Sequence, residues 1–95
     1  MAMFTRILKR MRENIRTREY VMTFHARKEM NNDGLTIYDV ERGILTGHIL
    51  ERQQDRVTAE RKYRIRGEII EGDEIEIIAR FGPTSKLVII TVYLI

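Results

Sequence analysis

The amino-acid sequence predicts an α+β fold, with helices in the first half of the chain and a mostly antiparallel sheet of four strands in the second half. Two observations support this division. The first half carries apolar residues at helical spacing and contains clear helix start signals. The second half alternates apolar and polar residues, and glycine-containing dipeptides that suit tight turns interrupt it.

The composition points to one domain and excludes several kinds of site. A chain of 95 residues has room for a single core, and a hydrophobic content of 43% is enough to build it. The absence of cysteine excludes a disulfide framework, a thiolate metal site and a cysteine nucleophile, and it fits the cytoplasmic location that we expect. Since no apolar run approaches the ~20 residues of a membrane span, no membrane partner is expected.

Residues 1–19 are predicted to form a basic amphipathic helix. Its apolar stripe, at helical spacing, consists of Phe4, Ile7, Leu8, Met11 and Ile15. Residues 1–18 also hold six Lys or Arg residues against Glu13 alone. Three roles are open for this helix: packing on the protein's own sheet, binding of nucleic acid or a partner, and membrane-surface binding or targeting.

Two short helices follow a segment at residues 20–23 that is either a linker or a first strand. Thr23 is the predicted N-cap of a helix over residues 24–32, and Gly34 suits the left-handed position after its end. Thr36 and Asp39 form a variant capping box for the second helix, which Gly47 ends at a similar position.

Four strands are predicted: His48–Gln53, Arg61–Ile70, Glu74–Phe81 and Leu87–Leu94. A three-residue loop at residues 71–73 would set Ile69 opposite Ile75 and Tyr63 opposite Phe81. The last strand is apolar on both faces and is therefore predicted to lie inside the sheet, with Tyr93 in the core. The N-terminal helix is the expected cover of its second face, and another protein chain is the alternative.

Short motifs at the joints between these segments resemble a family of small bacterial domains, the domain of unknown function 4258 family. They are the residues 25–30 (HARKEM), 35–40 (LTIYDV), 47–51 (GHILE), 62–67 (KYRIRG) and 90–93 (ITVY). The resemblance covers residues 20–95, and the family is grouped by structure with RelE/ParE-type toxins of toxin–antitoxin systems. It implies a RelE-like fold and, for the wider superfamily, cleavage of RNA. Glu29 and Asp33 depart from the pattern, because the family usually has arginine at both positions.

RNA cleavage of this kind requires a base, cations for the charge that builds on the phosphate, and an acid, but it requires no metal. The candidate catalytic residues are His25, Arg64 and Arg80. The candidate nucleic-acid-binding residues share one strand face and are Lys62, Arg64, Arg66 and Arg80. The alternative is a solvated strand face, which Glu68 and Glu76 would partly neutralise, with His25 capping or packing the start of its helix.

No metal or cofactor is predicted. His25 and Glu29 are four residues apart on one helix and could share a metal ion, but the sequence shows no third ligand.

Two function classes therefore remain. The first is a RelE-like toxin that acts on RNA, as a metal-independent endoribonuclease, and is held by an antitoxin. The second is a non-catalytic module that binds protein or nucleic acid. The first class predicts a basic, concave sheet face, whereas the second predicts mixed charge on that face and apolar surface elsewhere. The sequence does not decide between a monomer and a homodimer.

Overall fold

The computed structural model describes residues 3–95, which form three helices and five strands. In chain order they are α1 (Thr5–Arg16), β1 (Tyr20–Met22), α2 (Phe24–Asn32), α3 (Ile37–Thr46), β2 (His48–Gln54), β3 (Arg61–Glu68), β4 (Glu74–Phe81) and β5 (Leu87–Leu94). The α+β class is confirmed, and β4 and β5 have the predicted bounds. None of the helices in the described residues is long and apolar enough to cross a membrane.

The strands form one mixed sheet in the order β1-β5-β4-β3-β2. Strand β5 lies between β1 and β4, which confirms the prediction that it is an inner strand. The segment at residues 20–23 supplies a fifth strand, because β1 pairs in parallel with β5 and sets Tyr20 opposite Leu87. The sheet thus differs from the predicted four strands by one short parallel strand at its edge.

Helix α1 packs on the same face of the sheet as α2 and α3, so the prediction that it covers the second face of β5 is wrong. Its Met11 and Ile15 are buried in one core with Ile44 of α3 and Ile77 of β4. The opposite face carries charged groups at its centre and offers an apolar helix stripe little area to bury. Of the three roles considered for this helix, packing on its own sheet is the one that its apolar stripe fulfils.

Arg12 joins the end of α3 to α1. Its Nη2 donates a hydrogen bond of 2.9 Å to the carbonyl oxygen of Gly47, and its Nε lies 3.5 Å from that of Ile44. A cation placed at a helix C-terminus satisfies carbonyl groups that have no partner within the helix and complements the helix dipole.

The local helix signals are confirmed with one exception. Thr36 and Asp39 form the reciprocal capping box, and the side chain of Thr23 accepts a hydrogen bond from the backbone of α2. Gly34 has a φ of +68° and takes the left-handed position. Gly47 instead has an extended backbone with a φ of −86°. It is a glycine because a Cβ there would lie 2.4 Å from the carbonyl oxygen of Gly43.

Two irregularities change the predicted alignment of the strands. Gly67 lies opposite Ile75 and Tyr63 opposite Ala79, so the β3–β4 register is shifted by two residues from the predicted one. This shift keeps every side chain on its predicted face, because the side-chain period of a strand is two. Strand β5 also contains an extra residue, Ile90, opposite the step from Ile78 to Ala79 in β4. Such a bulge reverses the alternation of the residues that follow it.

Candidate functional site: the charged cluster on the open sheet face

One face of the sheet is not covered by any helix of the described residues, and we call it the open face. Its charged residues from β3 and β4 are Lys62, Arg64, Arg66, Glu68, Glu74, Glu76 and Arg80. Residues that alternate with them, such as Ile65 and Ile77, are fully buried in the core. The strand faces predicted from the sequence are therefore correct, and the four predicted nucleic-acid-binding residues share one surface.

The centre of the open face is a carboxylate that accepts hydrogen bonds from three side chains. Oε1 of Glu76 lies 2.8 Å from Nη1 of Arg64 and 2.7 Å from the hydroxyl of Tyr93. Its Oε2 lies 2.9 Å from Nη2 of Arg66. Sheet register explains this convergence, because Arg66 and Tyr93 are the direct neighbours of Glu76 in β3 and β5. We call these four residues the Glu76 cluster.

The electrostatics of the Glu76 cluster fix its protonation state. Glu76 is only 2% exposed, and burial alone would raise its pKa. The hydrogen bonds from Tyr93, Arg64 and Arg66 outweigh burial and lower the pKa to about 2. The bond to Glu76, followed by burial, raises the pKa of Tyr93. At neutral pH Glu76 is therefore ionised and Tyr93 is protonated, and a carboxylate with so low a pKa is a weak base.

Further carboxylates pair with two arginines of the open face. Nε of Arg64 donates to Glu51 at 3.1 Å, and these two contacts with Glu76 and Glu51 raise the pKa of Arg64. Arg80 lies 3.9 Å from Glu60. Within residues 3–95 no ion pair forms at Lys62, which is partly buried. The face is thus one of mixed charge, not a basic surface.

His25 lies apart from this cluster. It is near the start of α2, its side chain is 66% exposed, and its Nε2 lies 3.2 Å from Oε1 of Glu29. The structure places no contact between His25 and Arg64 or Arg80, so the three candidate catalytic residues are not brought together. In the part of the chain that the structure describes, no group of three His, Asp or Glu side chains could hold a metal ion.

Glu29 and Asp33, the two departures from the family pattern, accept hydrogen bonds from the backbone of β5. Beyond the short strand β1, no strand of residues 3–95 pairs with the backbone N–H groups of β5 on that side. Glu29 Oε1 accepts from the N–H of Val92 at 3.1 Å, and Asp33 Oδ2 accepts from that of Leu94 at 2.9 Å. Helix α2 and its C-cap residue Asp33 therefore complete the hydrogen bonds of this edge with carboxylates, where arginine side chains could not accept them.

Tyr93 is the functional-site residue that the sequence prediction missed. It was predicted to lie in the core because it shares alternation with Ile89, and this prediction is wrong. The bulge at Ile90 places Ile89 in the core and Tyr93 on the open face, where it is 36% exposed. No sequence signal marks the bulge, whereas the position of Glu76 followed from its alternation with Ile75 and Ile77.

Comparison with protein families matches residues 22–94 to the family described as Domain of unknown function (DUF4258). The match covers most of the chain, so the protein belongs to this family, as its short motifs predicted. Comparisons with curated proteins and with solved structures give no match. The relation to RelE/ParE-type toxins therefore stays a prediction.

Proposed function

We propose that the protein is a non-catalytic module that acts by binding another protein, and that it does so in the cytoplasm. The observation that carries this proposal is the internal neutralisation of the open face. Two of the arginines that would hold a phosphate, Arg64 and Arg66, already bind the buried carboxylate of Glu76 at 2.8 and 2.9 Å. A phosphate would have to compete with a carboxylate that is fixed in place.

The groups that RNA cleavage requires are also not assembled. Glu76, with a pKa of about 2, is a weak base whose two oxygens already accept hydrogen bonds. The hydroxyl of Tyr93 donates to that same carboxylate. His25, the remaining candidate for proton transfer, contacts Glu29 on α2.

Apolar surface elsewhere on the protein supports the same proposal. Large apolar side chains that are at least one-third exposed lie on helices, loops and sheet edges, and they include Met3, Phe24, Tyr38, Leu45, Leu50, Val57 and Ile70. Mixed charge on the open face together with exposed apolar groups elsewhere is the pattern that a protein-binding module predicts.

A RelE-like toxin that acts on RNA and is held by an antitoxin is the second candidate, and one observation favours it. The side chains of Arg64 and Arg66 are 29% and 40% exposed. Among the described residues, no partner is bound to Nη2 of Arg64 or Nη1 of Arg66. Two guanidinium groups held in fixed positions with unused donors are chemically suited to a phosphate.

Expression in bacteria and RNA binding in low salt distinguish these two functions. We expect the wild-type protein to leave growth and RNA intact, and we expect Arg64→Ala with Arg80→Ala to leave any residual RNA affinity unchanged. The toxin function predicts arrested growth that Arg64→Ala relieves and that the control Lys28→Ala does not. It also predicts that the double variant reduces the slope of log binding constant against log salt concentration by about one to two units. Each phosphate contact on a single strand contributes roughly 0.7 to that slope. Circular dichroism would show that each variant is folded.

A further inference from the structure

A groove lies between α1 and the edge strand β2, away from the Glu76 cluster. It has a volume of about 760 Å³, and its floor is formed by the apolar side chains of Phe4, Leu8, Ile49 and Leu50. Leu50 is 45% exposed, whereas its neighbour Ile49 is partly buried and packs against the core. Because Leu8 is only 9% exposed, the uncovered apolar surface of the groove is mainly that of Met3 and Leu50, and no other part of residues 3–95 covers it.

The rim of this groove is basic. Lys9, Arg12 and Arg16 line it from successive turns of α1, and no Asp or Glu of the described residues is among its lining side chains. Lys9 and Arg16 are exposed to solvent, and the closest carboxylate to Arg16 is that of Glu13 at 3.8 Å. Negative charge on a ligand would therefore favour its binding in this groove.

Besides its apolar floor and basic rim, the groove has the exposed backbone edge of β2. This strand is the last in the sheet order, and among the described residues it has a strand neighbour, β3, on one side only. Its pairing with β3 is interrupted by an extra residue, Leu50, between Ile49 and Glu51. A sheet edge offers N–H and C=O groups to which an extended chain can add as a further strand.

We propose that this groove binds an extended segment of a partner protein. Every second residue of the segment faces the groove, and these groove-facing residues are alternately apolar and acidic. This inference rests on the proposed function and assigns its binding site. The backbone of the segment pairs with β2, its apolar side chains contact Leu50, and its carboxylates pair with Lys9 and Arg16.

The same features disfavour two other occupants. RNA phosphates could bind the basic rim, but the phosphates and sugars would make no apolar contacts with the floor of the groove. A second copy of the chain, docked edge to edge through β2, would bring two basic rims towards each other, which costs free energy unless acidic groups separate them.

The test uses a fluorescein-labelled synthetic peptide of repeated Leu-Ser-Glu-Ser units and measures its binding by fluorescence anisotropy. Three control peptides each remove one feature. Repeats of Leu-Ser-Lys-Ser reverse the charge, repeats of Ala-Ser-Glu-Ser remove the apolar anchors, and repeats of Leu-Glu-Ser-Ser keep the composition but put the apolar and acidic residues on opposite faces of a strand. We expect binding of the first peptide alone, and we expect added salt to weaken it.

Paired variants of the full chain locate the site. Leu50→Asp with Lys9→Glu changes the floor and the rim, whereas Val57→Asp with Lys28→Glu makes the same charge change at exposed residues outside the groove. The groove variant should weaken binding by roughly tenfold or more, and the control variant should bind like the wild type. Amide NMR shifts on addition of the peptide should concentrate in β2 and α1. Thermal unfolding checks that both variants are folded.

Other outcomes overturn the proposal in distinguishable ways. Equal binding to the groove variant, equal binding of the lysine or opposite-face peptides, or no binding by the wild type would each exclude this site. Self-association that the groove variant abolishes in size-exclusion chromatography would assign the groove to a second copy of the chain. None of these results depends on Arg64 or Arg80, so the growth and RNA assays decide the proposed function independently.

Discussion

The side chain of Glu76 is buried among polar groups. Whether its carboxylate stays ionised depends on a balance between the cost of burial and the hydrogen bonds that it accepts. Removing a carboxylate from water is costly, and a buried charge persists only where several donors compensate for the lost hydration. Here Tyr93, Arg64 and Arg66 provide donors at 2.7 to 2.9 Å. Together these donors outweigh burial and lower the pKa of Glu76 to about 2.

Glu76→Gln should therefore change the acid stability of the protein. A carboxyl group whose pKa falls from 4.5 in the unfolded chain to about 2 in the folded protein stabilises the fold above pH 4.5, and this contribution is lost as the pH falls towards 2. The shift corresponds to about 3 kcal/mol. We expect the free energy of unfolding of the variant to lie below that of the wild type at pH 7, with the difference shrinking between pH 4.5 and 2.

Glu74→Gln is the matched control, because Glu74 is 54% exposed and lies 4.0 Å from Arg66. Glu74→Gln should change the free energy of unfolding little at pH 7 and at pH 2. A constant difference between wild type and Glu76→Gln from pH 7 to pH 2 would show that the carboxylate of Glu76 is not ionised in the way that its contacts indicate.

Residues whose structure depends on near neighbours were predictable from the sequence. The capping box of Thr36 and Asp39 involves two residues on one turn, and the faces of β3 and β4 follow from alternation alone. Tyr93 was not predictable, because its face depends on a bulge created by pairing with another strand. The sequence therefore predicted the charges of the candidate site but not the hydroxyl that completes it.

The contact between α2 and β5 shows how a helix can complete a sheet edge. Glu29→Ala and Asp33→Ala should each cost about 1 kcal/mol, because each removes the acceptor of a backbone N–H group of β5. Amide hydrogen exchange should accelerate at Val92 in the first variant and at Leu94 in the second. Glu29→Gln and Asp33→Asn keep an oxygen acceptor and should restore protection. Unchanged exchange in the alanine variants would mean that water serves these groups equally well.

The packing of α3 on β3 depends on glycine at a point of close approach. A Cβ at Gly67 would lie 1.9 Å from the carbonyl oxygen of Gly43, which is backbone and cannot rotate away. Gly67→Ala should therefore cost at least the roughly 1–3 kcal/mol typical of overpacking, measured by denaturant unfolding. Gly72→Ala is an informative contrast, because no atom of the described residues other than its two chain neighbours lies within 4 Å of its Cβ position, although its φ of +95° disfavours alanine. A smaller cost at Gly67 than at Gly72 would show that the helix can shift away from the strand.

The fold as a whole extends beyond the segment that matches the family. The family match begins at residue 22, whereas α1 ends at Arg16 and supplies Met11 and Ile15 to the common core. Sequence periodicity predicted that α1 is amphipathic, but two sheet faces were available to it. The structure favours the face where its apolar stripe meets α3 and where Arg12 reaches the end of that helix.

If α1 is an integral part of the core, the loss of one buried side chain in it should cost as much as a loss in the sheet. Met11 and Ile77 are both fully buried, so Met11→Ala and Ile77→Ala should each lower the free energy of unfolding by about 2–5 kcal/mol, in one cooperative transition. Lys9→Ala, at an exposed position of α1, should change it by less than about 0.5 kcal/mol. A large cost for Ile77→Ala together with a negligible cost for Met11→Ala would instead show that α1 unfolds separately. The groove between α1 and β2 would then exist only while the helix is docked, and binding of the acidic peptide would stabilise α1 against unfolding.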